Sequence, residues 1–238
     1  VSKGILIFKG MKVGFLPGDL SFKFTENGKF NPKAVLSTAY NVVPIWVKSA
    51  HDSLRQANLA SQEISQNWSE EPEKRRQLLL AELTPSMQVF VSCGIAIDGF
   101  YDMLRPYSKI SEAERDAWRK NKTSRAKQVV ETFRRTHKLK LEVLKSFDGC
   151  VSRIFKLRDM AVHPSLELKN SCTHPEINIG VDWKFAEYRF SNAEWCLTNT
   201  VNLFVYLYEH KSEVHEVNEA ISAVIDALEE LKVVQRIS

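Results

Sequence analysis

An antiparallel helical bundle, mainly α, with a small β-rich N-terminal appendage is the fold this sequence predicts. Three observations carry it. Helical apolar periodicity runs from Pro44 to about His163 and returns from Ser191 to about Val233. Helix-opening signals recur at Pro44, Ser69–Pro72, Ser111–Glu114 and Ser191–Glu194. By contrast, the first forty residues carry short β-type runs broken by Gly10, Pro17-Gly18 and Asn27-Gly28. The expected division is therefore a β-rich appendage over 1–43 and a helical bundle over 44–238.

Each element follows in order. In the appendage, Phe22 and Phe24 alternate with Ser21, Lys23 and Thr25, the pattern of a half-buried strand. A first helix runs from Pro44 to about Trp68. A second opens at Ser69–Pro72, its acids at the positive end of the dipole, and reaches Leu104 with a possible kink at Pro85. Ser111-Glu112-Ala113-Glu114 is a capping box that starts a basic helix carrying Arg115 to Arg135. A further helix covers roughly 139–163 and stops at Pro164. A β-hairpin is expected over 177–190, then an aromatic helix from a second capping box at Ser191–Glu194, then a last helix over about 212–233.

Composition bounds the function. The chain has 238 residues, 44% apolar and 26% charged, enough for a real core, so disorder is excluded as its main state. No run approaches the roughly 20 apolar residues of a membrane span, and Ile5-Leu6-Ile7-Phe8 is too short for a secretory leader. Cys93, Cys150, Cys172 and Cys196 lie far apart, which reads as reduced thiols in a cytoplasmic protein. Cys172-Thr173-His174 lacks the paired spacing of a zinc module, so no metal and no cofactor are expected. There is no phosphate-binding glycine loop and no nucleophile elbow. The modest net charge of +4 hides a segregation: 105–158 holds sixteen Lys and Arg against six Asp and Glu. Such a basic segment suits a polyanion, with an ordinary solvated helix face as the alternative.

One helix carries the chemistry. Val151, Ile154, Phe155, Ala161 and Val162 form its apolar stripe, and Arg158 falls inside that stripe. A guanidinium on an apolar face is expensive unless an anion meets it. The partner is an internal carboxylate such as Asp98 or Asp102, a second subunit, or a phosphate. Asp159 and His163 are i,i+4 neighbours at the edge of the same face.

The run Arg158-Asp159-Met160-Ala161-Val162-His163 resembles the R-x-x-x-x-H motif of the HEPN superfamily, small helical bundles in which a polar residue follows the arginine. The tight resemblance covers six residues. It implies a HEPN-like bundle, a homodimer with a composite active site, and metal-independent endoribonuclease activity that leaves a 2′,3′-cyclic phosphate. It also implies that His163 is the acid/base, Arg158 the phosphate clamp and Asp159 the group that orients them. The expected partner is RNA, transfer or messenger, held through Arg153, Lys156, Arg119, Lys122 and Arg125. A toxin or antiviral-defence setting follows, with an antitoxin or other regulatory protein as a further partner. Some members carry a tyrosine two residues after the histidine that a partner modifies with AMP; here Ser165 stands there, and that style of control gains no support. The rival is a non-catalytic dimerisation or nucleotide-binding module. The two differ in whether Arg158 meets a facing motif in an open basic groove or a sealed internal carboxylate.

Overall fold

The computed structural model describes residues 4–24, 27–163, 165 and 167–235. Two compact units emerge, residues 1–42 and 43–238.

In the first unit, β1 (Met11–Gly14) pairs antiparallel with β4 (Ser37–Tyr40), and β2 (Leu20–Phe24) with β3 (Phe30–Ala34). The turn before β2 is built by Gly18 at φ 92 and by Asp19, whose carboxylate accepts the Leu16 N–H and the Ser37 hydroxyl. The alternation puts Phe22 and Phe24 on one face opposite Pro32 and Phe30. That face is not half-buried as the alternation predicts, since Phe22 and Phe24 are 67% and 73% exposed. Among the described residues these strands form two separate two-stranded pairs.

The second unit is mainly helical. It comprises α1 (Val43–Asn67), α2 (Pro72–Leu104), α3 (Glu112–Lys120), α4 (Arg125–His137), α5 (Leu141–Val162), the ribbon β5 (Cys172–Thr173) and β6 (Gly180–Val181), α6 (Trp183–Glu187), α7 (Phe190–Glu209) and α8 (His215–Glu230). Helix α2 is the axle, packed by α1, α4, α5 and α7. Contacts at Val43–Gly99 and Ser49–Ser92 run in opposite sequence directions, so α1 and α2 form an antiparallel hairpin. Phe100 holds the centre between Phe133 and Phe204, with ring centroids at 5.8 and 5.2 Å. An 18-residue window within Pro72–Tyr107 is apolar enough to match a membrane span, with mean hydropathy 1.4, but much of it is core. Pro85 does not interrupt α2, and the neighbouring Thr84 hydroxyl bonds the Leu80 carbonyl.

Several elements depart from expectation. The basic helix is two helices, because Lys122 turns left-handed at φ 49 and Ser124 caps α4 by accepting the Lys127 N–H. The hairpin over 177–190 is absent: β6 pairs back to β5, and 183–187 is helical because the Asp182 carboxylate caps it at the Lys184 N–H. The second capping box does not form either. Helix α7 already begins at Phe190, whose N–H is taken by Glu82 of α2 at 2.8 Å, and the Ser191 hydroxyl is buried without a partner. The Ser111–Glu114 box is present in both directions. All four cysteines are free.

His137 is buried at the end of α4. Its Nδ1 lies 2.9 Å from the Thr136 hydroxyl, and its Nε2 has no partner. Burial, with a smaller push from His210, lowers its pKa from the ordinary 6.5 to about 4. The unfolded chain therefore binds this proton first as pH falls. Stability from neutral burial is complete above about pH 6.5 and is lost toward pH 4, by about 3 kcal/mol in total. Urea titrations at pH 7 and 4.5 of wild type and His137→Asn would show a smaller acid loss in the variant. Equal losses would place the acid sensitivity elsewhere.

Candidate active site

Helix α5 buries Val151, Ile154, Phe155 and Leu157 against the core. Arg158 lies beside that face with its side chain 17% exposed. Three things hold it. Its stem lies on Gly94 of α2, so close that a Cβ there would fall 2.6 Å from the Arg158 Cδ. The guanidinium carbon sits 4.3 Å from the centroid of the Phe155 ring. Its Nε and Nη2 meet Asp159 Oδ1 at 2.9 and 2.8 Å, and its Nη1 faces Asp98 Oδ2 at 3.7 Å.

Asp98 and Asp102 follow Gly94 at i+4 and i+8, on the same face of α2. Asp98 Oδ1 accepts from Arg125 Nε at 2.5 Å. Arg125 stacks 4.0 Å over Tyr101 and reaches Asp102 at 3.5 Å, which also faces Arg105 at 3.6 Å. Arginines and carboxylates thus alternate across the junction of α2, α4 and α5, in the order Asp159, Arg158, Asp98, Arg125, Asp102, Arg105. Arg158 therefore meets carboxylates of its own chain, one of the partners its position on α5 demanded.

His163 caps α5, its N–H bonded to the Asp159 carbonyl at 2.9 Å. It is exposed, and among the described residues no group hydrogen-bonds its ring. Pro164, expected to stop this helix, lies outside the described residues. Lys156, Asp159 and His163 follow one another three and four residues apart along the exposed side of α5.

The five residues expected to hold RNA have different surroundings. Arg125 joins the network above. Arg153 is exposed but stacks 4.6 Å over Trp195 and bonds Asn192 at 3.2 Å. Lys156 is exposed on α5, Arg119 pairs with Asp116 on its own helix, and Lys122 lies at the left-handed turn. A basic cleft of about 490 Å³ is lined by Lys109, Arg134, Arg135 and Lys138 with Glu213. It lies at the far end of α4 from Arg125, about 15 Å along that helix. Much of its charge is already matched, since Arg134 and Arg135 meet Glu131 at 2.6 and 2.7 Å and Arg135 also meets Glu114 at 2.6 Å. The Glu114 pKa is held down to about 2 by hydrogen bonds from Arg135 foremost and from the Ser111 N–H and hydroxyl.

Sequence reasoning missed a second group, two of whose three members are buried. Glu82 of α2 and His174 and Glu176 of the β5–β6 loop offer ligand atoms within 4.8 Å of one another. Burial pushes the Glu82 carboxyl up and the His174 imidazole down. The His174-x-Glu176 spacing was the available signal, but Glu82 lies some ninety residues away.

No family model, no curated protein and no solved structure matches this chain, so its functional reading rests on its own residues.

Proposed function

We propose that the chain is a metal-independent endoribonuclease of HEPN type, acting in the cytoplasm as a dimer, in a toxin or defence role under a regulatory partner. The observation that carries the reading is a fixed arginine and an unencumbered histidine at one helix end. Arg158 is held by Gly94, Phe155 and Asp159, and His163 stands exposed five residues later.

The chemistry needs little more. A base takes the ribose 2′-hydroxyl proton, the oxygen attacks phosphorus, and an acid protonates the departing 5′-oxygen. Imidazole moves protons near neutral pH, which suits His163 for either task. Charge that builds on the phosphoryl oxygens is met by a guanidinium. Arg158 spends two nitrogens on Asp159, while Asp98 at 3.7 Å lies beyond hydrogen-bond range of Nη1, which leaves N–H donors for phosphate. Asp159 orients the arginine. A second copy would supply the second imidazole, so that one acts as base and the other as acid. Lys156 on the exposed side of α5 would take the RNA backbone.

A second reading has its own observation. Asp98 and Asp159 already neutralise Arg158 within the chain, as a non-catalytic dimerisation or nucleotide-binding module requires. One experiment separates them. Purified chain is incubated with total RNA in excess EDTA, and fragment ends are probed for 2′,3′-cyclic phosphate. Discrete cleavage with cyclic ends is expected. Intact RNA with a folded dimer would overturn the nuclease reading and leave the binding module.

A further inference from the structure

About 24 Å along α2 from Asp98, counted at 1.5 Å per residue, a different chemistry is assembled. Glu82 is 1% exposed in the middle of the bundle's axle. A carboxylate so placed is expensive without compensation, and its described partners are the Phe190 N–H at 2.8 Å and the Ser61 hydroxyl. His174 is fully buried. Its loop is closed by His174 N–H to the Ile179 carbonyl at 2.8 Å and Asn178 N–H to the His174 carbonyl at 2.9 Å, with β5 and β6 pairing behind it. Glu176 is fixed by Arg189, which donates from Nη1 at 2.9 Å and anchors its Nε on the Ala186 carbonyl.

Within this ordered frame one polar atom is orphaned. His174 Nε2 is buried and has no hydrogen-bond partner among the described residues. Such atoms are rare in folded proteins, and each asks for an explanation. The other ring nitrogen, Nδ1, accepts the Glu176 N–H at 3.3 Å, a long contact.

We propose that Glu82, His174 and Glu176 bind a divalent transition-metal ion of zinc's class. One imidazole and two carboxylates form a donor set that zinc takes readily, with a fourth position left for water. The ion takes the orphaned Nε2, and the ring gives up the long Nδ1 contact as its proton moves there. Two carboxylate charges balance the ion, and Arg189 keeps Glu176 oriented from outside the coordination sphere. The ion would clasp the β5–β6 loop to α2. This site is independent of RNA cleavage.

The test uses the full chain freed of metal by EDTA and dialysis. Calorimetric titration with Zn²⁺ is expected to give one site per chain and a raised melting temperature. Titration with Co²⁺ should give visible d–d absorption without a thiolate charge-transfer band, since no cysteine is a ligand. His174→Ala should abolish the site, and Glu82→Gln should weaken it by at least about tenfold. Should either variant misfold, Glu176→Gln at the exposed edge supplies the same comparison. No binding by wild type, equal binding by the folded variants, or a thiolate band would overturn the proposal.

Discussion

The His163→Ala chain loses RNA cleavage by at least about 100-fold, the lower range for removing a general acid or base, and melts where the wild type does. The stability half of this expectation follows from exposure: His163 is at the surface, and no described group bonds its ring. Exposed substitutions of that kind stay within about 0.5 kcal/mol. Arg158→Ala gives a different signature, because its stem fills the space over Gly94 and its head neutralises Asp98 and Asp159. It loses cleavage and also about 0.5–3 kcal/mol of stability, chiefly from the lost packing of its stem, since the carboxylates left behind are partly solvated and Asp98 keeps Arg125. Arg158→Lys keeps the charge without the planar fork, so it restores more stability than activity. Single-turnover cleavage with thermal melts of all three variants makes the comparison. A His163→Ala chain that cuts like wild type would remove His163 from the chemistry, whatever Arg158 does.

How far the sequence reached is seen best at particular residues. Arg158 on an apolar stripe announced its need for an anion, and local helix periodicity was enough to say so. Which anion it met was set by α2, sixty residues earlier, and local pattern does not order Asp98 over Asp102. Ser111–Glu114 was legible because both hydrogen bonds close within four residues. Ser191–Glu194 has the same residue types and failed because Glu82, 108 residues away, takes the Phe190 N–H and starts α7 early. Asp182 was a local cap signal that the apolar run from Ile177 to Val181 overshadowed, turning a short helix into an expected strand. The basic segment was real in composition, yet Arg119, Arg134 and Arg135 each meet carboxylates from the same segment. Net charge does not report that pairing. The Glu82–His174–Glu176 group was hidden for the same reason as Asp98: its members share no sequence neighbourhood.

Gly94→Val destabilises the helical unit by about 2–3 kcal/mol, the overpacking range for a crowded core. A Cβ at residue 94 lies 2.6 Å from Arg158 Cδ, 3.1 Å from Cγ and 3.2 Å from Cβ. The last of these is fixed to the α5 backbone, so rotating the arginine does not clear the clash and the two helices must part. For a domain of this size the melting temperature falls by roughly 5–10 °C. Gly94→Ala separates packing from propensity. Alanine gains up to about 1 kcal/mol over glycine inside a helix, which opposes the same clash. In the wild-type background the clash wins and the arginine is pushed off Asp98, so cleavage falls more than stability. In an Arg158→Ala background the Cδ and Cγ contacts are gone and only the 3.2 Å contact with Cβ remains, which a shift of a few tenths of an ångström relieves, so alanine's helix preference wins and Gly94→Ala becomes stabilising. That reversal of sign is a coupling between two residues, measured by a double-mutant cycle in urea. If Gly94→Ala has the same effect with and without Arg158, then α2 and α5 are not held apart by that stem. The arginine's fixed position, on which the catalytic reading of Arg158 depends, would need another cause.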